Sequence, residues 1–233
     1  MKEISKRANI LYRNYKGKDI IIYEDHRFTV NALYYYYQKT NTKHLNAFIF
    51  DKHCDLRDIT DVSKQYITEN PKATFQELYN FVEFQLSEDD NDWCKAAMEM
   101  QLLKNYHLLF AERIRNVNET SYSDFKGNIH SIQYINKKEI NNLKSHIDLL
   151  NTPFFLDFDL DCFSYYSKDT IKAMNLSEIK KHIDYDTNVI FFKTLVNKAS
   201  FISICFESDH CGGFNESRKI FNSINKLFFD NQL

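Results

Sequence analysis

Phe154-Phe155-Leu156-Asp157-Phe158-Asp159-Leu160-Asp161 is an apolar run that breaks into acids at every second position. The same grammar returns three times. Ile20-Ile21-Ile22-Tyr23 runs into Glu24-Asp25-His26, Ala47-Phe48-Ile49-Phe50 into Asp51-Lys52-His53-Cys54-Asp55, and Phe201 to Phe206 into Glu207-Ser208-Asp209-His210. Short runs this rich in Ile and Phe read as strands buried on both faces, the mark of a parallel sheet. Such sheets bind ligands beyond the carboxyl ends of their strands. Acids and imidazoles gathered there point to a metal.

Between the runs the pattern turns helical. Phe28 to Gln38 reads as a helix joining two strands into a βαβ unit. From Ile59 to Lys104 the chain reads as a helical insertion after the second acidic strand end, placed to overhang the site as a lid. Thr74-Phe75-Gln76-Glu77 has the spacing of a capping box, followed by Leu78, Phe81 and Val82 at helical intervals. A second helix is expected over Asp92 to Leu103. Strands are expected over Leu108 to Ala111, Ile129 to Tyr134 and Pro153 to Leu156, with a helix from Lys138 to Leu150. Ser177 to Asn197 reads as largely helical, and Asn215 to Phe229 as an amphipathic closing helix. The fold class is therefore α/β, a three-layer αβα sandwich on a mainly parallel sheet.

Composition narrows the partners. At 233 residues, one domain spanning 1–233 fits better than two. A hydrophobic fraction of 43% excludes a disordered chain, and a net charge of −2 gives no basic field for nucleic acid. No apolar stretch is long enough to span a membrane, and Met1 to Arg7 lacks the apolar core of a secretory signal. The expected compartment is the cytoplasm. The five cysteines form no CxxC pair and read as reduced thiols. Cys54 and Cys162 fall inside the acidic motifs but alternate to the other face. Trp93, the single tryptophan, reads as a packing residue or as part of the pocket rim.

Residues two apart in a strand share a face, so Asp51, His53 and Asp55 converge if the extended backbone continues, as do Asp157, Asp159 and Asp161. Burying that many like charges without compensation is too costly to persist. Divalent cations would supply the balance. A lone acid at a strand end is usually a turn former, but four strand ends with the same chemistry are hard to read as independent caps.

Phe50-Asp51-Lys52-His53-Cys54-Asp55 resembles the Asp-x-His-x-Asp motif of the arginase (ureohydrolase) superfamily, and Leu156-Asp157-Phe158-Asp159-Leu160-Asp161 resembles its second motif. His26 stands where that family places a metal-binding histidine about two dozen residues earlier. The likeness is greatest to small bacterial arginase-like proteins that include peptide arginases. It implies one metal on His26, Asp51, Asp55 and Asp159 and another on His53, Asp51, Asp159 and Asp161, with Asp51 and Asp159 bridging. The oxygen-rich donor set favours two Mn²⁺ ions. The implied reaction is hydrolysis of a guanidino group by a metal-activated hydroxide, giving ornithine and urea from an arginine side chain. Asp55 is the candidate proton carrier. Glu207 or Asp209, with Asp209 slightly preferred, is the candidate guanidinium clamp, and His210 a candidate aid to proton transfer.

Three departures qualify the resemblance. Asp157 stands where the family has Ser, and is either a further ligand or an acceptor for a ligating histidine. The Asp-Pro usual after the second motif is missing, as is the loop that recognises the free amino acid's α-groups. A guanidino small molecule, or an arginine within a peptide or protein, is the expected substrate. The competing readings are a deacetylase-like amidohydrolase with a single Zn²⁺, which lacks its His-His pair here, and a metal-stabilised module without turnover.

Overall fold

The structure, a computed structural model, describes residues 10–87, 91–110, 119–137, 139–140 and 150–233. All four apolar runs become neighbouring strands of one sheet. The main-sheet strands are β1 (Leu11–Tyr15), β2 (Lys18–Tyr23), β3 (Leu45–Phe50), β4 (Leu103–Leu109), β5 (Ser121–Ser123), β6 (Ile129–Ile135) and β7 (Phe154–Asp159). A separate hairpin pairs β8 (Ser164–Ser167) with β9 (Thr170–Ala173), and β10 (Phe201–Cys205) completes the main sheet. Its order is β1-β2-β10-β7-β3-β4-β6-β5. Strands β2 through β6 in that order pair in parallel, while β1 and β5 run antiparallel to their neighbours at the two edges. Parallel pairing puts the carboxyl ends of β2, β10, β7 and β3 along one rim.

Register brings the rim residues level. Ser203 lies opposite Asp157 and Cys205 opposite Asp159. Phe50 lies opposite Phe158, so Asp51 leaves β3 beside Asp159.

Strand alternation divides the core in two. Ile21, Tyr23, Ile49, Phe155 and Phe201 point to one face and pack under α1 (Thr29–Thr40), α2 (Asp61–Glu69), α3 (Phe75–Gln85) and α4 (Trp93–Glu99). Ile22, Phe50, Leu156, Phe158 and Ile204 point to the other, under α5 (Leu176–His182), α6 (Tyr185–Lys198) and α8 (Phe214–Phe228). The short helix α7 (Ser208–Cys211) connects β10 to α8. This is the three-layer αβα sandwich with a mainly parallel sheet that the sequence predicts. Burying a Phe or Ile side chain contributes about 1.5–3 kcal/mol, so these two-sided strands fix the sheet.

Several elements differ from the sequence expectation. The Thr74–Glu77 capping box forms and opens α3, and the helical insertion packs on α1 as part of a sandwich layer, with α3 and α4 also lying against the turn that carries His26. The helix expected from Asp92 to Leu103 stops at Glu99, where Gln101 takes a left-handed φ of 63° and Leu103 opens β4. That strand begins well before Leu108 because its polar interruption is matched across the sheet: Asn105 bonds the side chains of Asn46 and Ser131. Strand β7 runs on past Leu156 to Asp159. The helical stretch after Ser177 divides at Asp184, whose φ is 52°. Edge strand β1 and the β8–β9 hairpin carry mixed sequences with no long apolar run, so periodicity does not announce them. The helix expected over Lys138 to Leu150 lies largely outside the described residues, as do Ala111 and the Met1 to Arg7 segment.

Candidate active site

The site forms where β2, β10, β7 and β3 end, on the sheet face shared with α1 and α4. From β2 the chain enters a single 3-10 turn at His26–Phe28, which buries the His26 imidazole completely. Its Nδ1 lies 2.8 Å from Asp55 Oδ2, 3.4 Å from Asp159 Oδ2, and 3.9 Å from both Asp51 Oδ2 and Glu207 Oε1. Four acids from three separate strand ends therefore surround one ring nitrogen. The other nitrogen, Nε2, is held by Asp157 Oδ2 at 2.8 Å.

Asp51 and Asp55 come from the irregular segment after β3, and extended alternation is not what brings them together. Asp51 Oδ1 accepts the His53 N–H at 2.6 Å, which bends the backbone at once. Asp55 then sits at φ 48°, a left-handed conformation uncommon for a residue with a Cβ. Its carboxylate is fixed from the helical insertion: Trp93, buried on α4, donates Nε1–H to Asp55 Oδ2 at 2.6 Å and lays its ring 4.9 Å from that of His26. Trp93 is thus the wall of the site. Sequence reading offers the rim or the core; the one available signal is that a buried indole N–H needs an acceptor.

After β7 the chain makes a 3-10 turn over Leu160–Phe163, in which Asp159 Oδ1 accepts Asp161 N–H at 3.2 Å. That turn aims Asp161 at His53, whose Nδ1 is 2.9 Å from Asp161 Oδ2. At the end of β10, Glu207 takes φ 37° and so turns inward. Its Oε2 is 3.0 Å from His210 Nδ1, and the His210 and His53 rings lie 5.8 Å apart. Asp209 is exposed on α7 and, among the described residues, makes no hydrogen bond or ion pair to the cluster. Glu207 is the acid that reaches it.

Donor atoms of His26, Asp51 and Asp159 lie within 4.8 Å of one another, and the same holds for His53, Asp161, Glu207 and His210. Three of these atoms, His26 Nδ1, Asp51 Oδ2 and Asp161 Oδ2, are buried without a hydrogen-bond partner. Electrostatics agree with the geometry. Burial, then the charges of Asp55 and Asp161, pushes Asp51 well above the ordinary carboxylate range. Burial, then Asp161 and Glu207, does the same to Asp159. Burial by itself would lower His26, but Asp157 and Asp55 overcome it and hold the ring well above an ordinary imidazole. Bonding to Glu207 raises His210 to about 9. The cluster is short of positive charge, and unpartnered nitrogen and oxygen donors at such spacing fit divalent cations.

Proclavaminate amidino hydrolase from Streptomyces clavuligerus has the same architecture, with a TM-score of 0.51 at 12% identity over 90% of this chain and 62% of its own. The fold is arginase-like. Arginases from Bacillus cereus (TM-score 0.48, 13% identity, 90% of this chain and 70% of theirs) and Medicago truncatula (0.47, 9%, 91% and 58%) also match. No protein-family model matches the chain, and no curated protein matches it by sequence. The chain spans less than two thirds of the amidino hydrolase's length. At this identity the likeness is one of fold, so the arginase-like sheet explains why the acids share a rim, and the chemistry has to be argued from the rim itself.

Proposed function

We propose that this chain is a metal-dependent hydrolase of guanidino C–N bonds, acting on an arginine side chain carried by a peptide or protein. The observation that carries the reading is the two groups of closely spaced donors, His26, Asp51 and Asp159 in one and His53, Asp161, Glu207 and His210 in the other, in which His26 Nδ1, Asp51 Oδ2 and Asp161 Oδ2 are buried without a hydrogen bond. One cation would be held by His26, Asp51, Asp55 and Asp159, and a second by His53, Asp51, Asp159 and Asp161. Bound there, two divalent ions, Mn²⁺ by the preference of an oxygen-rich donor set, would supply water acidified toward neutral pH.

The residues then divide the work. Glu207, turned inward by its left-handed backbone and steadied by His210, offers a carboxylate oxygen to the guanidinium. Asp55, fixed by Trp93, holds a proton and passes it to the leaving nitrogen. Overall one water is consumed: its oxygen joins the guanidinium carbon, the C–N bond to the side chain breaks, and the amine leaves protonated beside urea. The His53 and His210 side chains are about half exposed, at 53% and 47%, so among the described residues the mouth is open. An open mouth suits an arginine that belongs to a larger molecule.

The test joins metal analysis to product analysis. Purified protein should hold about two divalent ions per chain, and the Mn²⁺-loaded form should release urea from an arginine-containing peptide faster than from free arginine. Full metal content and full activity in Asp159→Ala would sink the assignment. Hydrolysis of acetyl-lysine in place of guanidino compounds would replace it with the deacetylase reading.

A further inference from the structure

We infer that Asp157 is an anionic positioning residue for His26, which fixes the imidazole's tautomer and strengthens cation binding at the His26 side of the centre. The inference rests on the metal reading above. Asp157 lies on β7 at a fully buried position, on the face that otherwise carries apolar side chains such as Phe155 and Ile49. A buried carboxylate there is costly unless it is fully hydrogen-bonded, and this one is. Oδ2 takes the His26 Nε2 bond at 2.8 Å. Oδ1 takes the Tyr23 hydroxyl at 3.3 Å and, closer still, the Ser203 hydroxyl. Tyr23 in turn shares a hydrogen bond with Thr29, the first residue of α1.

The fold builds this arrangement deliberately into three strands. Ser203 reaches Asp157 because parallel register sets them side by side on β10 and β7. Tyr23 closes β2 just before the turn that carries His26. Both Asp157 oxygens are engaged on the far side of the ring, so Asp157 is not itself in the ligand set. An ionised carboxylate only accepts hydrogen bonds, so the Asp157 bond places a proton on Nε2. Nδ1, which faces Asp51, Asp55 and Asp159, is then the nitrogen whose proton a cation would displace, giving the cation the ring's lone pair. A carboxylate behind a ligating histidine also makes the ring a stronger donor, and removal of such a partner commonly costs 10–100-fold in metal affinity.

The test measures cation affinity, not turnover. Wild type, Asp157→Asn and Asp157→Ser are stripped with chelator and titrated with Mn²⁺ and Zn²⁺ by calorimetry. Asn keeps the size of the side chain and an acceptor for Nε2–H but loses the charge, while Ser leaves room for a bridging water should Asn misfold. We expect one of the two sites to weaken about 10–100-fold and the other to change little. In the Zn²⁺-loaded protein the His26 Nε2–H resonance, held far downfield by the carboxylate, should move upfield in Asp157→Asn. Two sites of wild-type affinity in both variants would overturn the inference while leaving the metal reading intact, and equal weakening of both sites would overturn it too. Absence of ion binding by the wild type would instead remove the metal reading on which it rests.

Discussion

Replacing Asp51 by Asn should stabilise the cation-free protein and at the same time abolish its response to cations. Asp51 is fully buried; its Oδ1 accepts the His53 N–H while Oδ2 has no hydrogen bond and only the distant His26 Nδ1 at 3.9 Å. A buried acceptor left unsatisfied costs about 1–3 kcal/mol. Asn keeps the Oδ1 acceptor and the volume, and turns the orphan oxygen into an NH₂ that can donate to the surrounding acids. In chelator the variant should therefore gain about 2 kcal/mol, which for a chain of this size raises Tm by about 4–8 °C. Cations reverse the order. At a thousandfold excess over Kd the wild type gains about 4 kcal/mol by mass action, or about 8–16 °C, whereas the variant has lost the carboxylate proposed to bridge both ions. The pH dependence has a definite sign. Burial raises the folded carboxyl above its unfolded value, so its contribution is full below about pH 4 and is lost as the pH climbs toward the raised value. Asn removes that dependence. Thermal melts in EDTA and in excess Mn²⁺, from pH 4 to 8, measure all three effects. An EDTA melt lower than wild type, or an undiminished Mn²⁺ shift, would refute the reasoning.

Trp93→Phe should keep most of the packing on His26 but lose the Nε1–Asp55 bond, costing about 1.5–3 kcal/mol for a hydrogen bond to a charged group; urea denaturation of the cation-free protein reads it, and an unchanged midpoint would contradict the contact. Glu207→Gln should raise KM for a guanidino substrate at least tenfold with metal content unchanged, while Asp209→Asn leaves KM near wild type; the reverse ranking would return the clamp to Asp209. His107 is buried against Phe48 and Gln133, and burial lowers its pKa to about 4. A depressed folded pKa means that its contribution is full above about pH 6.5 and is lost as pH falls through 4, by about 3 kcal/mol. His107→Phe should therefore flatten the acid limb of stability between pH 7 and 4.5, and an unaltered limb would show that the ring does not titrate as placed.

Some of this molecule is written locally. Strands β2, β3, β7 and β10 are legible because each is a run of side chains that only two-sided burial can satisfy, and that demand depends on nothing distant. The capping box of α3 is legible for the same reason: Thr74 and Glu77 satisfy each other within one turn. The acids after those runs follow from chain order, since a residue placed just past the carboxyl end of a parallel strand must lie on the rim. The sequence by itself therefore determined the fold class and the composition of the rim. Its direction of approach to each rim residue was another matter. Asp55 and Glu207 point inward through left-handed backbone angles, and strand alternation carries no information about a residue beyond the strand. The choice between Glu207 and Asp209 was open for that reason. Tertiary structure alone decided the strand order, in which β10 comes to lie between β2 and β7. That insertion is what sets Ser203 and Tyr23 around Asp157, and Asp157 behind His26. It also took helix packing to bring Trp93 across the insertion to Asp55. These contacts join residues far apart in the chain, and their geometry exists only once the two hydrophobic layers have closed on the sheet.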